Sequence, residues 1–168
     1  MKISFIICLV QFVWFNSFGS TLYEFNKDSS NLPLVFVMDE DNEQLIDKLY
    51  EDYDVSLLAI CGNNLELTGS KVVDFISEIE NFASKMNFNI NGIKFYYNVY
   101  FDKNGTIKHF AFMLRPESKN ININSLISFF NTFIPNYKMQ LPPKNKNKFS
   151  ILGMSAYFPF YKGKVGNK

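Results

Sequence analysis

Residues 93 to 114 constrain this chain more tightly than any other stretch. Ile93, Phe95, Tyr97, Val99 and Phe101 alternate with Lys94, Tyr96, Asn98 and Tyr100; the run Asp102-Lys103-Asn104-Gly105 follows, and Thr106 to Leu114 returns. A period of two marks a strand with one buried face, and Gly105 suits the left-handed position of a tight turn. The segment is a β-hairpin, so its strands pair antiparallel and its aromatic face must be covered.

Two amphipathic segments supply the cover. A helix beginning near Thr68 or Ser70 places Val72, Phe75, Ile76, Ile79, Phe82, Ala83 and Met86 on one stripe, and a second carries Leu126, Phe129, Phe130 and Phe133 before Pro135 stops it. Upstream, Leu34 to Met38 reads as a short buried strand. Leu45, Ile46, Leu49, Tyr50 and Tyr53 form a helical stripe, and Val55 to Cys61 reads as a further strand closed by Gly62. Phe149 to Phe158 is the last strand, ahead of Pro159. Strand, helix, strand, helix, hairpin, helix, strand is an α+β order, with a mostly antiparallel sheet and helices packed on one face. It is not a doubly wound nucleotide-binding fold.

The amino end carries an address. Lys2 precedes an apolar run from Ile3 to Phe15, shorter than a membrane span, and Ser17 and Gly19 stand where a signal peptidase reads small residues. Residues 1–19 are expected to be a signal peptide. Residues 20–168 then form a single domain: a strand-helix-strand segment at 20–64, a helix-hairpin-helix-strand core at 65–160 and a basic tail at 161–168. A hydrophobic content of 47% with 19 Phe and 9 Tyr is enough for a large core in a chain of 168 residues. The 17 basic and 16 acidic side chains become balanced once Lys2 leaves, so no overall field draws nucleic acid or an anionic surface. Acids crowd between Asp39 and Asp54 and lysines between Lys144 and Lys168, which reads as a solvated helix and a solvated tail. Cys61 is the one cysteine left after the leader, so no internal disulfide is available, and it reads as a small buried hydrophobe.

Chemical signatures are sparse. One histidine and one mature cysteine do not make a transition-metal site. Asp39-Glu40-Asp41-Asn42-Glu43 alternates oxygen donors as calcium loops do, but it lacks their central glycine and distal glutamate and reads as acids at a helix start. Cys61 with His109 is the one conceivable nucleophile and base pair. Gly153-Met154-Ser155-Ala156-Tyr157 lacks the second glycine and following helix of a nucleophile elbow, and no phosphate-cradling glycine loop is present. Lys94 to Phe101 is similar to an aromatic RNA-binding strand but lacks its glycine. Arg115, the single guanidinium, suits carboxylate capture or a local pair with Glu117.

The hairpin "IKFYYNVYFDKNGTIKHFAFML", the helix "INSLISFFNTFI" and the strand "FSILGMSAYFPF" resemble the carboxy-terminal domain of TonB, the energy transducer of the cell envelope, over Ile93 to Phe160. The helix at Ser70 to Met86 would stand in the place of that family's first helix. The chain has 6 prolines and none forms the long linker of a transducer, so the resemblance implies a stand-alone exported domain without energy transduction. It implies a binding mode in which a sheet edge or the terminal strand pairs with an extended partner segment. The expectation is an exported, non-enzymatic, cofactor-free domain of the periplasm or cell envelope. Its partner would be an envelope protein, met through a sheet edge and the residues Tyr96, Tyr100, Arg115 and Phe158. The alternative is a secreted enzyme or small-ligand binder with a pocket between helices and sheet, using His109, Arg115 or Cys61; a third reading, lipid contact, rests on aromatic content alone.

Overall fold

The computed structural model describes residues 32–142 and 149–160. The leader expected at 1–19, the tail at 161–168 and most of the lysine-rich loop lie outside these. The elements run β1 (Val35–Val37), α1 (Glu43–Asp52), β2 (Val55–Ser56), α2 (Leu57–Ile60), α3 (Leu65–Lys85), β3 (Lys94–Asp102), β4 (Ile107–Leu114), α4 (Ile123–Phe133) and β5 (Phe149–Tyr157). They form an α+β fold with one five-stranded mixed sheet in the order β1-β4-β3-β5-β2. The three long central strands are antiparallel, and the short edge strands β1 and β2 are parallel to their neighbours. Residues 32–56 thus contribute both outer strands to the sheet that the hairpin begins.

The hairpin forms as its alternation requires. Asp102 Oδ1 accepts from the backbone N–H of Asn104 and of Thr106, and Gly105 takes the left-handed conformation at φ 80°. One sheet face presents Phe95, Tyr97, Val99, Phe110 and Phe112 to α3 and α4, whose Phe75, Ile76, Ile79, Leu126, Phe130 and Phe133 close the main core. Aromatic rings dominate it: Phe130 lies 4.5 Å from Phe110 and 5.6 Å from Phe95, at the tilted and edge-on angles that ring quadrupoles favour.

Three expectations change. Val55 to Cys61 is not one strand: β2 stops at Ser56, whose Oγ accepts the Ala59 N–H at 3.2 Å and caps the single turn α2. Leu57, Ile60 and Cys61 then reach the core by helical rather than strand spacing. The long helix starts at Leu65, before Thr68, because Asn64 Oδ1 accepts the Leu67 N–H at 2.9 Å. Helical cover also extends beyond one face. While α3 and α4 share the main core, α1 lies on part of the other face and packs Leu45, Leu49 and Tyr53 against Phe36, Tyr100 and Ala111. No helix among the described residues is long and apolar enough to cross a membrane.

Candidate binding surface

The four residues expected at a binding surface separate into two kinds. Tyr96 is 41% exposed, and the Arg115 guanidinium carbon lies 5.2 Å from its ring centroid, a cation-π geometry. Arg115 Nη2 also pairs with Glu117 Oε1 at 2.6 Å, which is the local ion pair that the sequence offered as its plainer role. Tyr100 and Phe158 are not surface residues. The Tyr100 ring lies beneath α1, 5.2 Å from Tyr53 and 6.4 Å from Tyr50, and burial holds its hydroxyl well above the ordinary tyrosine range. Phe158 turns into the main core 5.7 Å from Phe95 because its N–H bonds Ile93 and its carbonyl accepts from Gly92.

The second face is therefore half covered. Between α1 and the open half sits Asn98, buried among aromatics, with Nδ2 donating to Tyr50 Oη at 2.9 Å and lying 3.4 Å from Tyr100 Oη. Gly153 stands opposite on β5, and a Cβ there would fall 2.7 Å from Asn98 Oδ1. Beyond Asn98 the face is open, with Tyr96, Met113 and Tyr157 exposed.

The open half ends at an unusual edge. β3 pairs with β5 along all nine residues of that strand, but β2 pairs with β5 only at Ser150 and Ile151. Leu152 to Tyr157 have no strand neighbour on the outer side among the described residues. Which backbone groups face outward follows from alternation: Phe158 donates to Ile93, so Ala156, Met154 and Leu152 also turn toward β3. Gly153, Ser155 and Tyr157 turn away and present their N–H and C=O groups at the edge. No charged side chain and no proline lies in β5. Edges of soluble proteins are ordinarily blunted by such residues, by bulges or by shortness. The opposite edge is treated that way, since β1 has three residues and the Val37 carbonyl accepts from Asn42 Nδ2 at 3.1 Å.

Cys61 and His109 do not come together. Cys61 belongs to the main core, whereas His109 lies on the other face of the sheet, opposite Tyr100 and 6.2 Å from Tyr53, with Nδ1 3.1 Å from the Pro33 carbonyl. The sheet separates them. A groove of about 640 Å³ runs between the end of α3 and the start of α4, floored by Phe82, Phe88 and Phe129, and it touches none of Cys61, His109 and Arg115. Among the described residues no three His, Cys, Asp or Glu side chains converge as a metal site. Glu40–Asn42 form a 3-10 turn that follows Asp39 and leads into α1 at Glu43.

The outward trio Gly153, Ser155 and Tyr157 was not singled out by the sequence, although the charge-free run from Phe149 to Tyr157 was its available signal. Comparison with family models, with curated proteins and with solved structures gives no match.

Proposed function

We propose that this chain is an exported protein-binding module of the cell envelope that works by adding an extended segment of a partner protein to the outer edge of β5. The observation that carries the reading is the uncharged edge from Leu152 to Tyr157, which has no strand neighbour on its outer side among the described residues, beside a two-residue β2. Main-chain hydrogen bonds from Gly153, Ser155 and Tyr157 would supply affinity, and the alternate side chains of the bound strand would meet Tyr96 and Tyr157 on the open face. The resemblance of Ile93 to Phe160 to the TonB carboxy-terminal domain belongs to the same reading, as does the apolar leader.

Ser155→Pro tests it. The Ser155 N–H faces outward, so proline there deletes no bond to β3 and is tolerated as on other edge strands, but it removes the central donor of the edge. Tagged chain and variant are crosslinked in the native envelope, purified, and their partners compared. A protein retained by the parent and lost by Ser155→Pro, with amide exchange at Gly153, Ser155 and Tyr157 slowed by a peptide from it, is the expected result. A partner held equally well by Ser155→Pro, or none held by the parent, refutes the reading.

A further inference from the structure

The edge also fits a partner that the chain itself provides. We propose that, in the absence of a partner strand, β5 pairs antiparallel with β5 of a second copy about a two-fold axis through Ser155, so that self-pairing masks the surface that a partner must open. This rests on the edge reading of the previous subsection.

The register follows from which groups are free. In an antiparallel pair, residues directly opposite share a face, so a two-fold axis normal to the sheet must pass through a residue matched with itself. With the axis at Ser155, Ser155 meets Ser155 and Gly153 meets Tyr157 in both directions. Those are the three outward-facing residues of each strand, and every N–H and C=O among them finds a partner. An axis at Met154 would instead bring Tyr157 opposite Ile151, whose outward groups are already engaged by β2. An axis at Gly153 likewise spends the pairing on Ile151.

Shape and charge agree with the Ser155 axis. Met154, 44% exposed, falls opposite Ala156, and Tyr157, 49% exposed, falls opposite Gly153, so each large side chain meets a small one. An aromatic ring across from a strand glycine is a favourable cross-strand pair. Ile151 of one copy falls opposite Pro159 of the other, which has no N–H to offer and follows the bend at Phe158, so the incoming strand ends where β2 begins. The edge carries no charge, and the formal net charge of the full sequence is only +1, so two copies meet without appreciable repulsion. The arrangement closes on itself because the remaining sheet edge, β1, is short and carries the Asn42 bond.

Cysteine pairing reads the register. At Ser155 the two Cα atoms would lie about 5.5 Å apart, as in any hydrogen-bonded antiparallel pair, within the roughly 4.4–6.8 Å that a disulfide spans. At Tyr157 they would be offset by four residues, more than about 13 Å along the strand. In a full-length Cys8→Ser background, Ser155→Cys under mild oxidation is expected to double its mass as a reducible dimer, and Tyr157→Cys and the parent are expected to stay single. Buried Cys61 takes no part. Sedimentation of the reduced parent is expected to show a concentration-dependent dimer that Ser155→Pro abolishes, while Ser155→Pro melts where the parent does at concentrations too low for it to dimerise. A monomer mass for the parent at every concentration, or crosslinking of Tyr157→Cys as readily as Ser155→Cys, overturns self-pairing. Neither result touches the edge reading, which falls if Ser155→Pro still holds the envelope partner or if the parent holds none.

Discussion

Gly105→Ala and Gly69→Ala are the same chemical change with opposite expected signs. Gly105 sits at the hairpin tip with φ 80°, where an alanine costs roughly 1–2 kcal/mol in backbone strain alone. Its Cβ would also fall 1.9 Å from the Met139 carbonyl oxygen, inside any tolerable contact, and that neighbour is backbone and cannot rotate away. The hairpin tip and the 138–139 segment must then separate. Separation breaks the Met139 N–H to Gly105 carbonyl bond at 2.9 Å, between residues that are both buried, for about another 1–3 kcal/mol. The expected loss is about 2–5 kcal/mol, a large share of the roughly 5–15 kcal/mol that holds a domain folded. Gly69 lies inside α3 with nothing within 4 Å of an added Cβ, so alanine there should gain up to about 1 kcal/mol of helix propensity. Urea unfolding followed by circular dichroism gives both values from the shift in midpoint at constant slope. A loss below about 1 kcal/mol for Gly105→Ala would mean that the tip does not dock on Met139 in solution, and the packing argument for the hairpin would fail with it.

Tyr97 is buried with a hydroxyl that has no hydrogen-bond partner among the described residues, and burial drives its pKa upward, so Tyr97→Phe is expected to stabilise the fold by about 1 kcal/mol, read as a higher urea midpoint; a loss of that size would show a partnered hydroxyl. His109 has its pKa lowered, first by burial and then by Lys108, against the raising effect of the Pro33 carbonyl. The unfolded chain therefore binds the proton first, and stability contributed by neutral His109 is complete above its unfolded pKa of about 6.5 and falls as the pH drops below it toward the depressed folded value. Urea midpoints across that window should decline in the parent and decline less in His109→Gln; equal slopes would place the protonation cost elsewhere.

The parts of the fold legible in the sequence are those whose geometry is local. Asp102 to Gly105 specified the hairpin tip through turn chemistry, and the stripes of α3 and α4 specified their buried faces through helical spacing. Tyr100 was misread because alternation reports that two faces differ, not that one of them is wet. Phe95, Tyr97 and Val99 meet α3 and α4, and Tyr100 meets α1 from a segment about fifty residues earlier. Pairing of distant segments leaves no period in the strand itself. Phe158 differs for a related reason: its N–H bond to Ile93 continues the ladder past β5, so its ring keeps the alternation of Leu152 and Ala156 and falls on the core face.

The same limit applies to β5, because a charge-free strand fits the interior of a sheet as well as its edge. Inside a sheet, Phe149 to Tyr157 would need no charge because both of its edges would be paired, and one edge is paired in full by β3. What exposes the other is the brevity of β2, and that brevity has a local cause. The Ser56 hydroxyl caps the turn Leu57–Ile60, the chain leaves extended conformation there, and Leu57 and Ile60 gain burial that a continued strand could not give both of them. Had residues 57–61 stayed extended, they would run beside Leu152 to Ala156 in the parallel register already set by Val55 and Ser150, and the edge would be closed. The Ser56 cap thus helps leave the outer edge of β5 open, and the binding property proposed for β5 would depend on a residue roughly a hundred positions upstream of it.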